Sequence, residues 1–325
     1  MSNVETAPQA LRCGAAGDGG APAGTPRVEV LSAREVPLGG PRAMPVRRTL
    51  PQRARSLIGA WCFADHYGPV DATERGMVVP PHPHTGLQTV SWLFSGEIEH
   101  RDTLGTHALI RPGELNLMTG GHGIAHSEVS TPATTVLHGV QLWVALPGEH
   151  RDAARDFQHH VPEPVRVGGA GVRVFLGSLA GSTSPVRTFT PLLGAEITLE
   201  PGATLTLDVD TAFEHGLLVD SGDVRLAGTP LEPAELGYVP CGTDTLTITN
   251  GSAAPARTVL LGGPPFEEEI IMWWNFIARS HEEIVQARED WERGTRFGVV
   301  QGYDGDPLPA PALPNMPLKP RARAR

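Results

Sequence analysis

The sequence predicts an all-β protein with two β-barrels in tandem and one helix near the C-terminus. Short alternating apolar segments are separated by turns rich in glycine and proline, of which the 325-residue chain has 38 and 31. Strands this short and this closely spaced favour a sandwich or a barrel. The second half loosely repeats the first, with Pro-Gly turns that lead into strands and hairpins that end at glycine. One segment, 280–294, has helical periodicity instead.

The first half contains the densest strand pattern. A strand-like segment begins at Val28, and a short apolar run follows at 55–64. Further strands are predicted at 87–94, 97–105, 107–110, 114–120 and 134–146. Apolar residues alternate along 134–146, so one face of that strand is expected to be buried.

The second half is predicted to hold another set of strands, followed by the helix. The strands are expected at 172–177, 196–209, 215–228, 235–250 and 256–263. In the helix, Ser280 and Glu283 have the spacing of a capping box, and Gly294 is the candidate C-cap. Ile284, Ala287 and Trp291 lie on one face of this helix.

These patterns divide the chain into six segments. Residues 1–26 lack periodicity and are expected to be a disordered tail. The others are a first barrel at 27–147, a linker with a short helix at 148–165, a second barrel at 166–264, a segment with the helix at 265–300 and a Pro-rich tail at 301–325.

Composition argues against several classes of protein. The net charge of −10 repels phosphate backbones, so direct nucleic-acid binding is not expected. The chain has no run of about 18 apolar residues, so no membrane span is expected. The cysteines Cys13, Cys62 and Cys241 have no paired spacing, and the N-terminus lacks a signal-peptide pattern. We therefore expect a reducing, cytoplasmic location.

Two pairs of candidate metal ligands stand out in the first half. One residue separates His82 from His84, and one residue separates His126 from Glu128. Side chains two residues apart on a strand point to the same face, so each pair can reach one ion. Three imidazoles and one carboxylate suit a divalent transition metal and leave coordination positions open. The alternative is that the pairs are incidental, as a lone histidine pair on a strand often is.

The residues around these pairs resemble the pirin family, within the cupin superfamily. The resemblance is carried by HPH at 82–84, MTGGHGIAHSE at 118–128 and HGVQLWV at 138–144. It runs almost without a break over 82–146 and implies two tandem cupin barrels packed face to face. It also implies one Fe(II) per chain, held in the first barrel by His82, His84, His126 and Glu128. Imidazole-rich sites also accept other divalent transition metals.

The chain departs from the broader cupin pattern in two places. Cupins often have a glutamate ligand a few residues after the histidine pair, where this chain has Gln88. A neutral amide is a poor ligand, so we exclude Gln88. The second barrel has His215 as its only histidine and no histidine pair, so no metal is expected there.

Three further histidines lie near the site in the sequence. His122 lies in the glycine-rich loop before His126, where it either lines the cavity and orients a ligand or faces solvent. His100, with Asp102, either contacts substrate or belongs to a solvated hairpin, which is the interpretation we favour. His138 alternates with apolar residues and is expected to be a hydrogen-bonded core residue.

The sequence leaves two classes of function open. A pirin-like enzyme would cleave a flavonol such as quercetin with O2, with Glu128 accepting the proton of the substrate hydroxyl. A pirin-like regulator would instead bind a transcription factor or a metabolic enzyme according to the state of its metal. A metal-binding relic with little activity is a third alternative. The partner is accordingly a small phenolic substrate or a protein, and we expect the chain itself to be a monomer.

Overall fold

The structure, a computed structural model, describes residues 26–38 and 44–320. The helices in these ranges are α1 Ala72–Arg75 and α2 His281–Glu292, and strands dominate the rest. The strands form two tandem cupin barrels, as predicted, and each barrel combines a seven-stranded with a four-stranded sheet.

The strands are numbered in chain order. The first twelve are β1 Glu29–Leu31, β2 Arg34–Pro37, β3 Pro45–Leu50, β4 Trp61–Asp71, β5 Val78–His84, β6 Leu87–Ser95, β7 Ile98–Asp102, β8 His107–Ile110, β9 Leu115–Thr119, β10 Ile124–Ser130, β11 Val136–Ala145 and β12 Asp156–His160. The others are β13 Val165–Val167, β14 Ala170–Leu176, β15 Ser178–Leu179, β16 Ser182–Thr183, β17 Leu193–Leu199, β18 Thr204–Asp208, β19 Glu214–Ser221, β20 Val224–Leu226, β21 Thr229–Leu231, β22 Leu236–Val239, β23 Thr245–Asn250, β24 Ala256–Gly263, β25 Ile271–Trp273 and β26 Phe276–Ala278.

The first barrel positions the candidate ligands. Its larger sheet has the strand order β12-β9-β6-β11-β4-β3-β2, and its smaller sheet has the order β5-β10-β7-β8. Both ligand pairs lie in the smaller sheet. The segment 148–165, predicted as a linker with a short helix, instead contains β12, which pairs with β9 and extends the larger sheet. Phe157 of β12 also packs against the ring of His100, at 4.9 Å between centroids.

The second barrel takes one strand from the beginning of the chain. Its larger sheet has the order β1-β22-β19-β24-β17-β14-β13, and its smaller sheet has the order β18-β23-β20-β21. Residues Glu29–Leu31 were expected in the first barrel, but as β1 they pair with β22. Arg55 stabilises this crossing, because its guanidinium lies 2.7 Å from Glu29 and 3.5 Å from the ring centroid of Tyr238.

One apolar core joins the two barrels. It contains residues of the first barrel such as Trp92 and Val140 together with residues of the second such as Phe175 and Leu218. Trp92 Nε1 also donates to Glu196 Oε2 across this boundary, at 2.7 Å. The second barrel has its own interior core, which consists mostly of leucine and valine side chains.

The C-terminal helix begins at the predicted N-cap and ends with Arg293 as its C-cap, one residue before the predicted Gly294. Ser280 is the N-cap of α2 and accepts from the backbone N–H of Glu283, and Ile284 and Ala287 are buried. Gly294 follows the cap residue in the left-handed region, with φ of 67°. The Pro-rich segment beyond 301 has no regular element in its described part, yet Ala310 and Leu318 pack in the same cluster as the helix. Within the described ranges, no helix is long and apolar enough to cross a membrane. Apart from its last residue, the tail predicted at 1–26 lies outside the described residues.

Candidate metal centre

The two ligand pairs meet because their strands are direct neighbours. β5 and β10 are antiparallel, and His82 lies opposite His126 in the register. The imidazole centroid of His126 is 4.4 Å from that of His82 and 5.0 Å from that of His84. The coordinating atoms of the three histidines lie within 4.8 Å of one another, and all three side chains are buried. Direct pairing of β5 with β10 therefore brings the two pairs together.

Glu128 joins the cluster because it lies two residues after His126 on β10, so its side chain points to the same face of the strand. The register between β10 and β5 shifts between His126 and Glu128, and Glu128 lies opposite His100 of β7. Coordinating atoms of His100, His126 and Glu128 also lie within 4.8 Å of one another. The two groups share His126, so the four candidate ligands and His100 lie in one buried cluster.

The protonation of the three imidazoles suits metal binding. His82 Nδ1 donates to the carbonyl of Pro80 at 2.9 Å, which leaves the lone pair on Nε2. That Nε2 atom is buried and has no hydrogen-bond partner among the described residues. Burial lowers the pKa of His82 to about 3, and burial together with the neighbouring imidazoles lowers the pKa of His84 and His126 far below the ordinary value. The neutral form is the one that coordinates metals.

A hydrogen-bonded chain orients His126. Asp102 Oδ2 lies 3.2 Å from His100 Nε2, and His100 Nδ1 lies 3.3 Å from His126 Nδ1. If Asp102 accepts from His100 Nε2, then His100 Nδ1 accepts from His126, and the lone pair of His126 is on Nε2. Burial opposes ionisation of Asp102, but the hydrogen bond from His100 holds the pKa of that carboxyl below its usual value. Carboxylate–histidine contacts of this kind fix the tautomer of a metal ligand.

The preferred interpretation of His100 was therefore wrong. His100 and Asp102 are 2% and 1% exposed and belong to the barrel interior, whereas a solvated hairpin was expected. The charged residues Glu99 and Arg101, which point the other way, gave this strand a polar appearance in the sequence.

His122 lies at the surface, which is the second of the two alternatives that the sequence left open. Its side chain is exposed on the loop that precedes β10. Its backbone carbonyl accepts from Arg296 Nε, so its described contact fixes the loop rather than the cluster. Gln88, which we excluded as a metal ligand, donates to Thr119 Oγ1 at 2.9 Å. Val90 and Trp92 lie on the same face of β6 and belong to the core between the barrels.

Sequence reasoning missed three polar residues inside the barrel. The Ser91 hydroxyl lies 3.2 Å from Glu128 Oε1 and 2.9 Å from Gln141 Oε1, and it can donate to one of them at a time. The Tyr67 hydroxyl is buried and has no hydrogen-bond partner among the described residues. Burial, with the charge of Glu128, raises the pKa of Tyr67. The alternation of side chains along β6 could have identified Ser91, because it places Ser91 on the opposite face from Val90 and Trp92.

The residues present fit a transition metal. Neutral imidazoles converge with a carboxylate, an unpartnered His82 Nε2 points into the cluster, and neighbouring hydrogen bonds orient the rings. The first barrel thus contains a metal-binding site of histidine and glutamate side chains. In the described part of the second barrel, no comparable group of ligands occurs, and His215 is buried with neither ring nitrogen bonded.

Family comparisons cover both barrels. The model described as Pirin matches residues 43–144, and the model described as Pirin C-terminal cupin domain matches residues 194–298.

Individual relatives match over most of their own length. A Pseudomonas aeruginosa protein that carries the name "Putative quercetin 2,3-dioxygenase" is 46% identical over 288 residues, which are 87% of this chain and 90% of that protein. A pirin-like protein of Caulobacter vibrioides is 34% identical and covers 87% of this chain and 98% of its own. The crystal structure of a quercetin 2,3-dioxygenase from Acinetobacter baumannii superimposes with a TM-score of 0.85 at 36% identity and covers 92% of this chain and 98% of its own.

Proposed function

The chain belongs to the pirin family, and from this membership we propose that it is an iron-dependent dioxygenase that cleaves flavonols with O2. One observation carries the proposal. A cluster of three neutral histidines and a carboxylate lies in the barrel of a chain that matches a solved quercetin 2,3-dioxygenase over nearly its whole length. The substrate is then a small planar phenol with a hydroxyl next to a carbonyl.

In this proposal, His82, His84, His126 and Glu128 hold one Fe(II) per chain. When bound, the iron would supply Lewis acidity toward the substrate oxygens and redox chemistry with O2. Other divalent metals suit the same donors, so iron is preferred for its chemistry with O2 rather than for affinity. His100 and Asp102 would orient His126, because they form a hydrogen-bonded chain to its Nδ1.

Glu128 is the residue that we assign to proton transfer. It is the only anionic member of the set, so it can accept the proton of the flavonol hydroxyl and leave the substrate as its anion. Ser91 would hold Glu128 through the 3.2 Å contact with Oε1. The buried surroundings strengthen these interactions, because few waters compete with them. The overall reaction consumes one O2 per flavonol and releases carbon monoxide with the ring-opened ester.

The test is turnover of quercetin by protein loaded anaerobically with one equivalent of Fe(II). On admission of air, we expect loss of the flavonol absorbance and release of one carbon monoxide per quercetin. His126→Ala is expected to lose both stoichiometric iron and turnover. His150→Ala is the matched control, because His150 lies at the surface and outside the cluster. Iron-loaded wild-type protein that leaves quercetin intact and releases no carbon monoxide would reject the enzymatic proposal and favour a metal-dependent regulator.

A further inference from the structure

A second group of metal-type side chains lies between the two barrels. His66 of β4 and His138 of β11 come from the first barrel, and Asp220 of β19 comes from the second. Asp220 Oδ1 is 2.7 Å from His66 Nε2 and 2.6 Å from His138 Nε2. The two Nε2 atoms are 3.4 Å apart. Three potential ligands thus converge across the boundary, and none of them belongs to β5 or β10, which carry the first cluster.

Strand irregularities aim two of these residues at the boundary. The register of β11 shifts next to His138 against both of its neighbours, β4 and β6. The register of β19 against β24 shifts at Asp220, between Val219 and Ser221. Bulges redirect side chains and are enriched beside functional sites. The expectation of a hydrogen-bonded core histidine at position 138 is correct for the hydrogen bond, but His138 is only partly buried and bonds across the two barrels.

The spacing suits a four-coordinate ion. Zinc–nitrogen bonds of about 2.0–2.1 Å at tetrahedral angles separate two imidazole nitrogens by about 3.3 Å. The two Nε2 atoms, at 3.4 Å, already have this separation, and the corresponding distance between His84 and His126 in the first cluster is 3.1 Å. The carboxylate oxygen is closer than a bound ion allows, so Asp220 must withdraw by about 0.7 Å on binding. Each Nε2 also gives up the proton that it donates to Asp220, either to its own Nδ1 or to solvent, because only the free lone pair coordinates a metal.

The charges around the group also bear on metal binding. Burial lowers the pKa of His66, which keeps that imidazole neutral. Burial opposes ionisation of Asp220, but hydrogen bonds from both histidines hold the pKa of its carboxyl far below the usual range.

Two arginines approach the same carboxylate. Arg257 Nη1 lies 3.5 Å from Asp220 Oδ2, the oxygen that faces away from the histidines, and the Arg257 guanidinium rests on Phe94 at 4.7 Å from the ring centroid. Arg47 adds a positive charge, although its guanidinium is engaged by the carbonyl of Gly68. These arginines weaken cation binding, but Arg257 leaves Oδ1 available and orients the carboxylate.

We propose that His66, His138 and Asp220 form a second divalent transition-metal site, best suited to zinc, which links the two barrels. Its three ligands are two imidazoles and one carboxylate, and water completes the coordination because the His138 side chain is 13% exposed. The site does not depend on flavonol cleavage, since it uses none of the residues assigned to the first cluster.

The test is the stoichiometry of Zn²⁺ bound by the full chain. Apoprotein is dialysed against buffered Zn²⁺ and analysed for metal, and we expect two equivalents for the wild type. Asp220→Asn keeps the shape of the side chain but removes its charge and replaces one acceptor oxygen by an NH2 donor, and His138→Ala removes one ligand. Both variants are expected to retain one equivalent and to bind the second at least tenfold more weakly. His150→Ala should still bind two.

Unfolding provides a second measurement. Zn²⁺ should raise the unfolding temperature of the wild type more than that of Asp220→Asn, because the interdomain ion binds only the folded chain. Near-ultraviolet circular dichroism establishes that each variant is folded. One equivalent in the wild type, or two equivalents in both Asp220→Asn and His138→Ala, would overturn the proposal. Loss of quercetin turnover without loss of the second equivalent would affect only the proposed function.

Discussion

At the scale of single residues, the first cluster depends on side chains that fix the tautomers of its ligands. His82 uses Nδ1 to bond the Pro80 carbonyl, and His126 uses Nδ1 to bond His100. Each histidine is then left with Nε2 as its coordinating atom. Glu128 is held in a similar way by Ser91. The residues around the ligands therefore decide how well the site is preorganised.

Replacing His100 by phenylalanine tests this role. The ring volume is retained, but the chain from Asp102 to His126 is broken, so we expect a 10- to 100-fold loss of metal affinity. Competition with a coloured chelator measures the affinity. His107→Phe is the control, because His107 is exposed on the adjacent strand. Equal affinities for the two variants would mean that His100 does not orient His126.

His215 is expected to make the stability of the protein depend on pH, independently of the metal cluster. It is 1% exposed, and burial lowers its pKa to about 4. The unfolded chain takes up a proton near pH 6.5, but the folded chain does not until about pH 4. The contribution of His215 to the free energy of unfolding is therefore fully present above pH 6.5. As the pH falls from 6.5 to about 4, the free energy of unfolding decreases by about 3 kcal/mol.

Urea unfolding of His215→Leu measures this effect. Between pH 7 and pH 4, the free energy of unfolding should fall by about 3 kcal/mol less in the leucine variant than in the wild type. His150→Leu, at an exposed position, should follow the wild type. A pH profile of His215→Leu that coincides with the wild type would contradict the assignment.

The sequence predicted the ligand pairs because a strand has a period of two, which places His82 with His84 on one face. It did not predict the inward position of His100, since Glu99 and Arg101 on either side are charged and made the strand resemble a surface hairpin. The Asp220 contact with His66 and His138 joins residues of different barrels, and no local pattern specifies it.

At the scale of elements, the loop 120–123 connects β9 to β10 and sets the position of His126. Gly121 has φ of 50°, and a Cβ added there would lie 1.9 Å from the Ala153 carbonyl oxygen. The loop is also tied to the chain before β6, because Gly86 N–H donates to the Gly121 carbonyl at 2.8 Å. Glycine is therefore required at position 121 for conformation and for space.

Gly121→Ala is expected to weaken both stability and metal binding, because the loop must move to relieve the clash. Gly105→Ala separates the two causes. Gly105 has φ of 89°, but a Cβ there meets nothing within 4 Å. Gly105→Ala should therefore lower the free energy of unfolding only by the conformational penalty of about 1–2 kcal/mol and should leave metal affinity unchanged. Equal losses in the two variants would show that the Ala153 contact is unimportant.

Element boundaries were predicted best where residues act locally. Ser280 and Gly294 marked the ends of α2 because capping is a local interaction. The segment from Val28 was interpreted as one strand, yet it divides into β1 and β2, which belong to sheets of different barrels. That division depends on distant partners, Arg55 and Tyr238, which local alternation does not reveal.

At the scale of the whole molecule, the shared core makes the two barrels one cooperative unit. Trp92 is fully buried in that core and bonds Glu196 of the second barrel. Glu196 has a further contact with Arg173, but at 3.5 Å. This hydrogen bond to a carboxylate therefore contributes to the coupling of the two barrels.

Trp92→Phe is expected to lower the free energy of unfolding by about 2–4 kcal/mol, from the lost hydrogen bond and the smaller ring. The transitions followed by near-ultraviolet circular dichroism and by metal release should still coincide. Trp291→Phe is the control, since Trp291 lies on α2 outside the shared core and bonds Leu308. Two separate transitions in the wild type would contradict a single cooperative unit.

We propose that one iron is held by His82, His84, His126 and Glu128 in the first barrel. Anomalous diffraction from crystals of the iron-loaded protein, on both sides of the iron absorption edge, tests it most directly. We predict a single iron peak in that barrel, bonded to the Nε2 atoms of the three histidines and to a carboxylate oxygen of Glu128. An iron peak elsewhere, or one to which Glu128 is not bonded, would contradict the claim.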